Sequence, residues 1–280
     1  MPGLLPAHIK SLILDMDGVL WKADAPIGDL PAIFARLCER GLKVAFATNN
    51  GTRTPDQYVD RLAGFGVKVE PWQVVTSALV VAELLEKRFR PNPPMPPFPD
   101  REGGNGELGP IFAIGGEGVM TALREKGFTL LSVQEAEKAQ AVVVGIDRQI
   151  NFQKMAEAAL LVRRNVPFYA TNPDKTFPTP RGEIPGAGAW IAVVVTATGM
   201  EPIYAGKPAP YLIELARERL GTKKVETLVV GDRLETDIAG GQADGCPCVL
   251  VLSGVSTREM GEAWKPKVDV IAEDLAQLVG

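Results

Sequence analysis

Acidic, hydroxyl and amino side chains recur in this sequence at the ends of predicted strands. Four polar clusters occupy such positions: Asp15 with Asp17, Thr48 with Asn49, Lys207, and Asp232 with Asp237. Lys207 is included because it follows a predicted strand at Ile203–Tyr204. Ligands of open α/β sheets bind outside the carboxyl ends of the strands. If the four strands are parallel neighbours, the clusters meet at one edge of a single sheet.

Phosphoryl transfer uses these types of side chain. A carboxylate at Asp15 can attack phosphorus and form a covalent intermediate. A phosphate dianion repels that carboxylate, so a divalent cation and a lysine such as Lys207 must offset the charge. Asp17 can protonate the leaving oxygen and then take a proton from the attacking water. Since the hydroxyl of Thr48 can also donate to a phosphoryl oxygen, the set predicts a phosphohydrolase with Asp15 as its nucleophile.

A magnesium ion suits the acidic residues of these clusters. Mg²⁺ prefers hard oxygen ligands and few protein carboxylates. Asp15 and Asp232 supply two carboxylates, and the backbone carbonyl of Asp17 can supply a third ligand. Backbone N–H groups beside the nucleophile and beside the strand-end threonine can bind phosphate oxygens. The predicted phosphate-binding positions are Gly18, Asn49 and Asn50.

Apolar strands alternate with amphipathic helices along most of the chain, which predicts a parallel α/β sheet. The predicted strands cover residues 11–14, 43–47, 111–114, 141–145, 168–171, 203–204, 227–230 and 248–252. The predicted helices cover residues 30–40, 54–62, 190–197 and 211–220. The pattern predicts a doubly wound, Rossmann-like core domain formed by residues 1–78 and 188–280. Residues 79–187 are predicted to form an inserted second α/β lobe.

A segment rich in proline and glycine interrupts this alternation at residues 90–110. Proline cannot donate a hydrogen bond to a central strand and breaks a helix. The segment is therefore predicted to be a long surface loop.

The four clusters resemble the motifs of the haloacid dehalogenase superfamily of phosphotransferases, in the same order. The matching stretches are DMDGVL at Asp15–Leu20, ATNN at Ala47–Asn50, GKP at Gly206–Pro208 and GDRLETD at Gly231–Asp237. The resemblance implies Mg²⁺ bound by Asp15, the Asp17 carbonyl and Asp232. It also implies that Asp237 supports this site without binding the metal directly, although an acid near a helix start can also be a simple cap.

The inserted lobe resembles the α/β cap of the type II subgroup of this superfamily, in its type IIA form. TNPD at Thr171–Asp174 and PGAG at Pro185–Gly188 resemble phosphatases acting on p-nitrophenyl phosphate, phosphoglycolate or nucleotides. The implied partner is a small phosphorylated metabolite. Asn172 and Asp174 are candidates for substrate contact, but both residue types are equally suited to a turn.

Composition argues against several other partners. The net charge of −4 shows no basic excess, so nucleic acid is not expected as a partner. No apolar run reaches the ~20 residues needed to cross a bilayer, so no membrane is expected either. The N-terminal apolar stretch lacks a basic region and a cleavage site, which indicates a core strand and not a signal peptide. The odd number of cysteines is typical of a reduced, cytoplasmic protein, and a homo-oligomer is compatible with the sequence.

Other functions fit the residues less well. With His8 as its one histidine, the chain is unsuited to a Ser-His-Asp triad or a multi-histidine metal site. A dehalogenase on the same fold would not need an acid at Asp17. A receiver-type phosphate switch would not place an acidic pair after Lys207. A non-catalytic phosphate-binding relative would normally lack a catalytic acid, and none is missing here.

Overall fold

The computed structural model describes residues 4–90, 108–179 and 181–280. These residues form two compact units. The first comprises Met1–Asn49, Pro55–Thr76 and Gly206–Gly280, and the second comprises Asn50–Thr54 and Ser77–Ala205. Within the described ranges, none of the helices is long and apolar enough to cross a membrane.

Short strands and helices alternate through both units. The strands are β1 (Ser11–Leu14), β2 (Trp21–Lys22), β3 (Ala25–Pro26), β4 (Lys43–Thr48), β5 (Val74–Thr76), β6 (Leu108–Ile114), β7 (Phe128–Leu130), β8 (Ala141–Val144), β9 (Phe168–Ala170), β10 (Thr176–Thr179), β11 (Gly182–Pro185), β12 (Ile203–Tyr204), β13 (Thr227–Gly231), β14 (Cys248–Val251) and β15 (Val270–Ala272). The α-helices are α1 (Leu30–Glu39), α2 (Pro55–Gly64), α3 (Ser77–Phe89), α4 (Glu117–Glu125), α5 (Phe152–Arg163), α6 (Ala187–Thr198), α7 (Tyr211–Leu220), α8 (Ala239–Asp244), α9 (Arg258–Ala263) and α10 (Leu275–Val279). Short 3₁₀ turns lie at Pro71–Gln73, Val133–Lys138 and Lys224–Glu226, and a π-helical turn lies at Leu234–Ile238.

The first unit contains a parallel sheet with the strand order β15-β14-β13-β1-β4-β5. Within this unit that is the doubly wound arrangement 3-2-1-4-5-6, which confirms the Rossmann-like core. The chain leaves β1 toward β4 on one side and returns at β13 on the other. Such a reversal opens a crevice at the carboxyl ends of the two strands, where ligands of this fold bind.

The central strand of this sheet is buried along its whole length. All four residues of β1 are buried, as expected for a parallel strand covered on both faces. The following helix, α1, begins where the carboxylate of Asp29 accepts a hydrogen bond from Ala32 N at 3.1 Å. It is followed by Gly41 in a left-handed conformation (φ +67°), a common way to end a helix. The residue that follows β1 is thus held at the end of a fully buried strand.

The second unit contains its own parallel sheet, ordered β12-β9-β8-β6-β7. Within this unit the order is 2-1-3-4-5, the other common doubly wound arrangement. The antiparallel pair β10–β11 is a separate two-stranded sheet. The inserted lobe is therefore α/β, as predicted.

The start of β6 corrects part of the predicted surface loop. Of residues 90–110, positions 91–107 lie outside the described residues. Leu108, Gly109 and Pro110 belong to β6, which lies between β7 and β8. The register against β7 shifts between Leu108 and Ile111, and this irregularity accommodates a proline that has no N–H to donate. The carbonyl of Pro110 still accepts a hydrogen bond from Gln140 N at 2.8 Å.

The chain returns to the first unit later than the predicted boundary at residue 188. Helix α6 packs on α5, and β12 pairs with β9, so residues 188–205 belong to the second unit. The N–H of Ala205 donates to Ala170 O at 2.9 Å, which extends that pairing to the last residue of the unit. The expectation that Lys207 follows a strand of the first sheet was therefore wrong, because Ile203–Tyr204 pairs in the second sheet.

Candidate active site

Lys207 lies between two carboxylates of the first unit. Its Nζ is 2.6 Å from Asp15 Oδ1 and 2.6 Å from Asp237 Oδ1. The Lys207 side chain is 2% exposed and that of Asp15 is 12% exposed. Asp15 follows β1 directly, and its N–H continues the ladder to Val230 O in β13 at 2.9 Å. The lysine and the predicted nucleophile therefore meet at the crevice between β1 and β13.

The position of Lys207 is fixed from the side of β4. Its Nζ also donates to the carbonyl of Ala47 at 2.8 Å. Its backbone N–H donates to Asn49 Oδ1 at 2.8 Å, and its carbonyl accepts from Asn49 Nδ2 at 2.9 Å. These bonds explain how Lys207 reaches the sheet edge without a strand of its own.

Asp232 is fixed by the loop that follows β14. Its Oδ2 accepts a hydrogen bond from Val255 N at 2.8 Å, and its carbonyl accepts from Ser256 N at 3.0 Å. Gly18 and Gly254 both pack against this carboxylate, and a Cβ atom on either would collide with it. Because neither glycine has a side chain, the carboxylate of Asp232 fits between them. Gly18 also has a positive φ (+86°), a conformation that favours glycine.

Each carboxylate oxygen of Asp237 has its own partner in the protein. Its Oδ1 pairs with Lys207, and its Oδ2 accepts from the backbone N–H of Arg233 at 3.0 Å. It lies on the π-helical turn Leu234–Ile238, where one extra residue per turn changes the side-chain direction. π-Helical turns are frequent at functional sites.

The electrostatics of the cluster are dominated by burial. Burial raises the pKa of Asp15 well above its ordinary value; the ammonium of Lys207 counters part of that rise, and Asp237 and Asp232 add to it. Burial and the neighbouring Asp237 raise the pKa of Asp232 to about 7. Burial alone would lower the pKa of Lys207, but Asp15 and Asp237 raise it above its usual value, so this lysine stays charged.

The three carboxylates form a cluster suited to a cation. Oxygens of Asp15, Asp232 and Asp237 lie within 4.8 Å of one another. Three carboxylates surround a single ammonium, that of Lys207, so negative charge is in excess when all three are ionised. The atoms available to bind a metal are all hard oxygens. A divalent ion such as Mg²⁺ fits this donor set, because it would relieve the mutual repulsion of the acids.

The side chain of Asp17 turns to a different partner. Its Oδ1 accepts a hydrogen bond from the indole Nε1 of Trp21 at 2.7 Å. Asp17 is exposed, whereas Trp21 is fully buried. Thr48, the last residue of β4, is buried at 3% exposure.

Two family models match the chain. A model described as haloacid dehalogenase-like hydrolase matches residues 12–129, and one described as HAD-hydrolase-like matches residues 204–278. The 5'-nucleotidase YutF of Bacillus subtilis is 34% identical over 250 residues, covering 89% of this chain and 90% of that protein. The chain belongs to the haloacid dehalogenase-like hydrolases.

Solved structures of this family agree with the fold. The p-nitrophenyl phosphatase from Archaeoglobus fulgidus has a TM-score of 0.83 and 33% identity, covering 97% of this chain and 98% of that one. A glycerol phosphate phosphatase from Mycobacterium tuberculosis, in complex with magnesium, has a TM-score of 0.84 and 32% identity. That match covers 99% of this chain and 79% of the other. The chain is thus an enzyme of the phosphatase class, and its resemblance to the type IIA phosphatases of this superfamily is confirmed.

The site residues predicted from the sequence are distributed over both units. The first unit contains Asp15, Asp17, Gly18, Thr48, Asn49, Lys207, Asp232 and Asp237. The second unit contains Asn50, Asn172 and Asp174. Asn50 Oδ1 accepts from Thr52 N at 3.1 Å and from Thr52 Oγ1 at 2.6 Å. Asn172 Oδ1 accepts from Asp174 N at 3.1 Å, so this pair forms the turn that was one of its two predicted roles.

Sequence reasoning missed the residues that hold these acids. Trp21 holds Asp17, and Val255 and Ser256 hold Asp232. The hydroxyl of Ser253 donates to the carbonyl of Gly18 at 2.6 Å. The available signal was the polar stretch Ser253-Gly254 after the predicted strand 248–252, since loops at strand ends line the sites of α/β folds.

Proposed function

We propose that this enzyme hydrolyses small phosphate monoesters through a phospho-aspartate formed on Asp15. The observation that carries the proposal is Lys207, which lies 2.6 Å from both Asp15 and Asp237. A buried ammonium beside a carboxylate nucleophile lowers the repulsion that a phosphate dianion would otherwise meet. The related phosphatases support the reaction class.

The reaction has two steps in this proposal. In the first, an oxygen of Asp15 forms a bond to phosphorus, the bond to the leaving oxygen breaks, and Asp17 gives that oxygen its proton. In the second, water attacks phosphorus and passes a proton to Asp17. The phosphorus–Asp15 bond breaks, inorganic phosphate leaves, and both carboxyl groups return to their starting states. Thr48 and the backbone N–H groups near Gly18 and Asn49 bind the phosphoryl oxygens.

Mg²⁺ would be held by Asp15, the carbonyl of Asp17 and Asp232. The ion supplies positive charge for the phosphoryl oxygens when bound. Both oxygens of Asp237 already have protein partners, so we assign this residue to holding Lys207 and not to the metal.

We further propose that the second unit is the cap of this phosphatase and reads the leaving group. Its first and last residues, Asn50 and Ala205, each lie two positions from a proposed catalytic residue, Thr48 and Lys207 respectively. Asn50, Asn172 and Asp174 are its candidate substrate contacts. A small phosphorylated metabolite in the reduced cytoplasm, where the free thiols of Cys38, Cys246 and Cys248 persist, is the proposed setting.

The test is release of inorganic phosphate from p-nitrophenyl phosphate by the purified chain, with Mg²⁺ and with excess chelator. Wild-type protein should turn over only with the metal, and Asp15→Asn should abolish turnover because an amide cannot attack phosphorus. Asp56→Asn makes the same change at an exposed position of α2 and is the matched control. Folded Asp15→Asn protein with the native rate would overturn the proposal.

A further inference from the structure

Trp21 is the partner of the proposed acid–base residue, although it contributes no titrating group. Its Nε1 donates to Asp17 Oδ1 at 2.7 Å, across a loop in which the two residues also form an isolated backbone bridge. An indole N–H can only donate a hydrogen bond. It therefore cannot take a proton from Asp17, and its effect on that carboxyl must come from holding one oxygen in place.

The indole is itself held by several contacts. The guanidinium of Arg61, in α2, lies 4.3 Å from the indole ring centroid, and the ring of Phe65 lies 5.8 Å away at 34°. The carbonyl of Trp21 accepts from Gly18 N at 2.8 Å, and its strand β2 pairs with β3. Because Trp21 is 0% exposed, its N–H points in one fixed direction.

An exposed carboxylate needs such a support. Asp17 is exposed, and a free aspartate side chain there would sample several rotamers. Proton transfer is efficient only when the acid is already placed against the reacting oxygen, and a misplacement of about 1 Å can cost on the order of 100-fold. A buried N–H that binds Oδ1 restricts the rotamer and leaves Oδ2 as the oxygen for proton exchange.

We propose that Trp21 is a positioning residue that fixes the rotamer of Asp17, so that Oδ2 meets the leaving oxygen. The inference rests on the proposed function, in which Asp17 protonates that oxygen. It predicts a dependence on the leaving group that a purely structural role of Trp21 would not produce.

The readout is kcat/KM for two esters with different leaving groups. A nitrophenolate is a weak base and can leave without being protonated. An alkoxide is a strong base and must be protonated as it leaves, so only the alkyl ester needs Asp17 in the first step. kcat/KM reports that first transfer and excludes the later hydrolysis of the phospho-enzyme. The probes are p-nitrophenyl phosphate and glycerol phosphate.

Two variants remove the N–H of Trp21. Trp21→Phe removes it with part of the ring, and 3-benzothienylalanine incorporated at position 21 replaces it with sulfur in a ring of nearly the same shape. Phe34→Leu is the matched control, because it removes an aromatic ring of the same core that stacks on Phe46. Asp17→Asn shows the full effect of losing the acid.

Both N–H variants should lose about tenfold or more in kcat/KM on the alkyl ester beyond any loss on the nitrophenyl ester. Phe34→Leu should change both esters by the same factor. If the benzothienyl variant treats the two esters alike while Asp17→Asn does not, Trp21 has no positioning role. If Asp17→Asn also treats them alike, the proposed acid has failed, and the two failures are thus distinguishable.

Discussion

Asn49 and Lys207 are joined by a reciprocal pair of hydrogen bonds between one side chain and one stretch of backbone. The amide oxygen of Asn49 accepts from Lys207 N at 2.8 Å, and its amide nitrogen donates to Lys207 O at 2.9 Å. The geometry imitates the pairing of a neighbouring strand, in which a residue donates and accepts in turn. A side chain thus replaces the strand that would otherwise hold the lysine at the sheet edge.

Replacing Asn49 with Ala should therefore lower both stability and turnover. Two buried backbone groups of Lys207 lose their partner, which should cost about 1–3 kcal/mol of unfolding free energy. The lysine should also lose its fixed position beside Asp15, so kcat should fall for folded protein. The measurements are denaturant unfolding and phosphate release corrected for the folded fraction.

Gln73→Ala is the matched control for that variant. The side chain of Gln73 is also an amide that donates to β4, to Val44 O at 2.8 Å, but at the other end of the strand. It should reduce stability without changing kcat. Native kcat in folded Asn49→Ala protein would show that the pair supports folding and not catalysis.

The two acids of the last motif should differ in their effect on Mg²⁺. Both oxygens of Asp237 bind protein groups, whereas Asp232 uses Oδ2 for Val255 N. Asp232→Ala should therefore weaken Mg²⁺ binding more than Asp237→Ala in a calorimetric titration. The loss for Asp237→Ala should stay near the ~10–100-fold typical of groups that orient ligands. A larger loss for Asp237 would assign the metal to that carboxylate instead.

The sequence predicted the core because its signals are local. Strand β1 is a short apolar run ending in Asp15, and α1 carries a clear start and end, so periodicity and caps suffice for both. The predicted strands placed three of the four clusters at the correct sheet edge, and Lys207 reaches the same edge by another route.

The position of Lys207 could not be derived in the same way. Its predicted strand, Ile203–Tyr204, pairs with β9 in the other unit, and a two-residue strand has no pattern that identifies its partner. The contact that does hold the lysine joins residues 158 positions apart. Trp21 was missed because a buried tryptophan is usually a packing residue, and its N–H is invisible to hydrophobic periodicity.

Asp244 should make the stability of the first unit depend on pH. Its buried carboxylate accepts from Arg217 Nε at 2.8 Å and from the Cys246 thiol at 3.3 Å. Burial alone would raise the pKa of Asp244, but these bonds lower it below its ordinary value. A lowered folded-state pKa stabilises the fold at pH values above the unfolded value of about 3.9. That stability is lost as the pH falls through the folded value.

Asp244→Asn should accordingly lower the unfolding free energy near neutral pH by about 1.5–3 kcal/mol. The difference from wild type should shrink at acidic pH, where the wild-type carboxylate is also protonated. Urea titrations between pH 7 and pH 2 measure it, with Asp56→Asn as the exposed control. A difference that is constant across this range would mean that the charge of Asp244 is irrelevant to stability.

Asn172 begins a polar turn after β9 in the second unit. Its Oδ1 accepts from Asp174 N at 3.1 Å and its Nδ2 donates to Thr171 Oγ1 at 3.3 Å. If the second unit reads the leaving group, Asn172→Ala should change the ranking of phosphate esters more than the hydrolysis of the smallest one. The measurement is kcat/KM for a panel of esters. The control is Asn151→Ala, in the same unit, which removes a cap from α5 through its bond to Lys154 N at 3.0 Å. A uniform change across the panel, like that expected for Asn151→Ala, would limit Asn172 to shaping its turn.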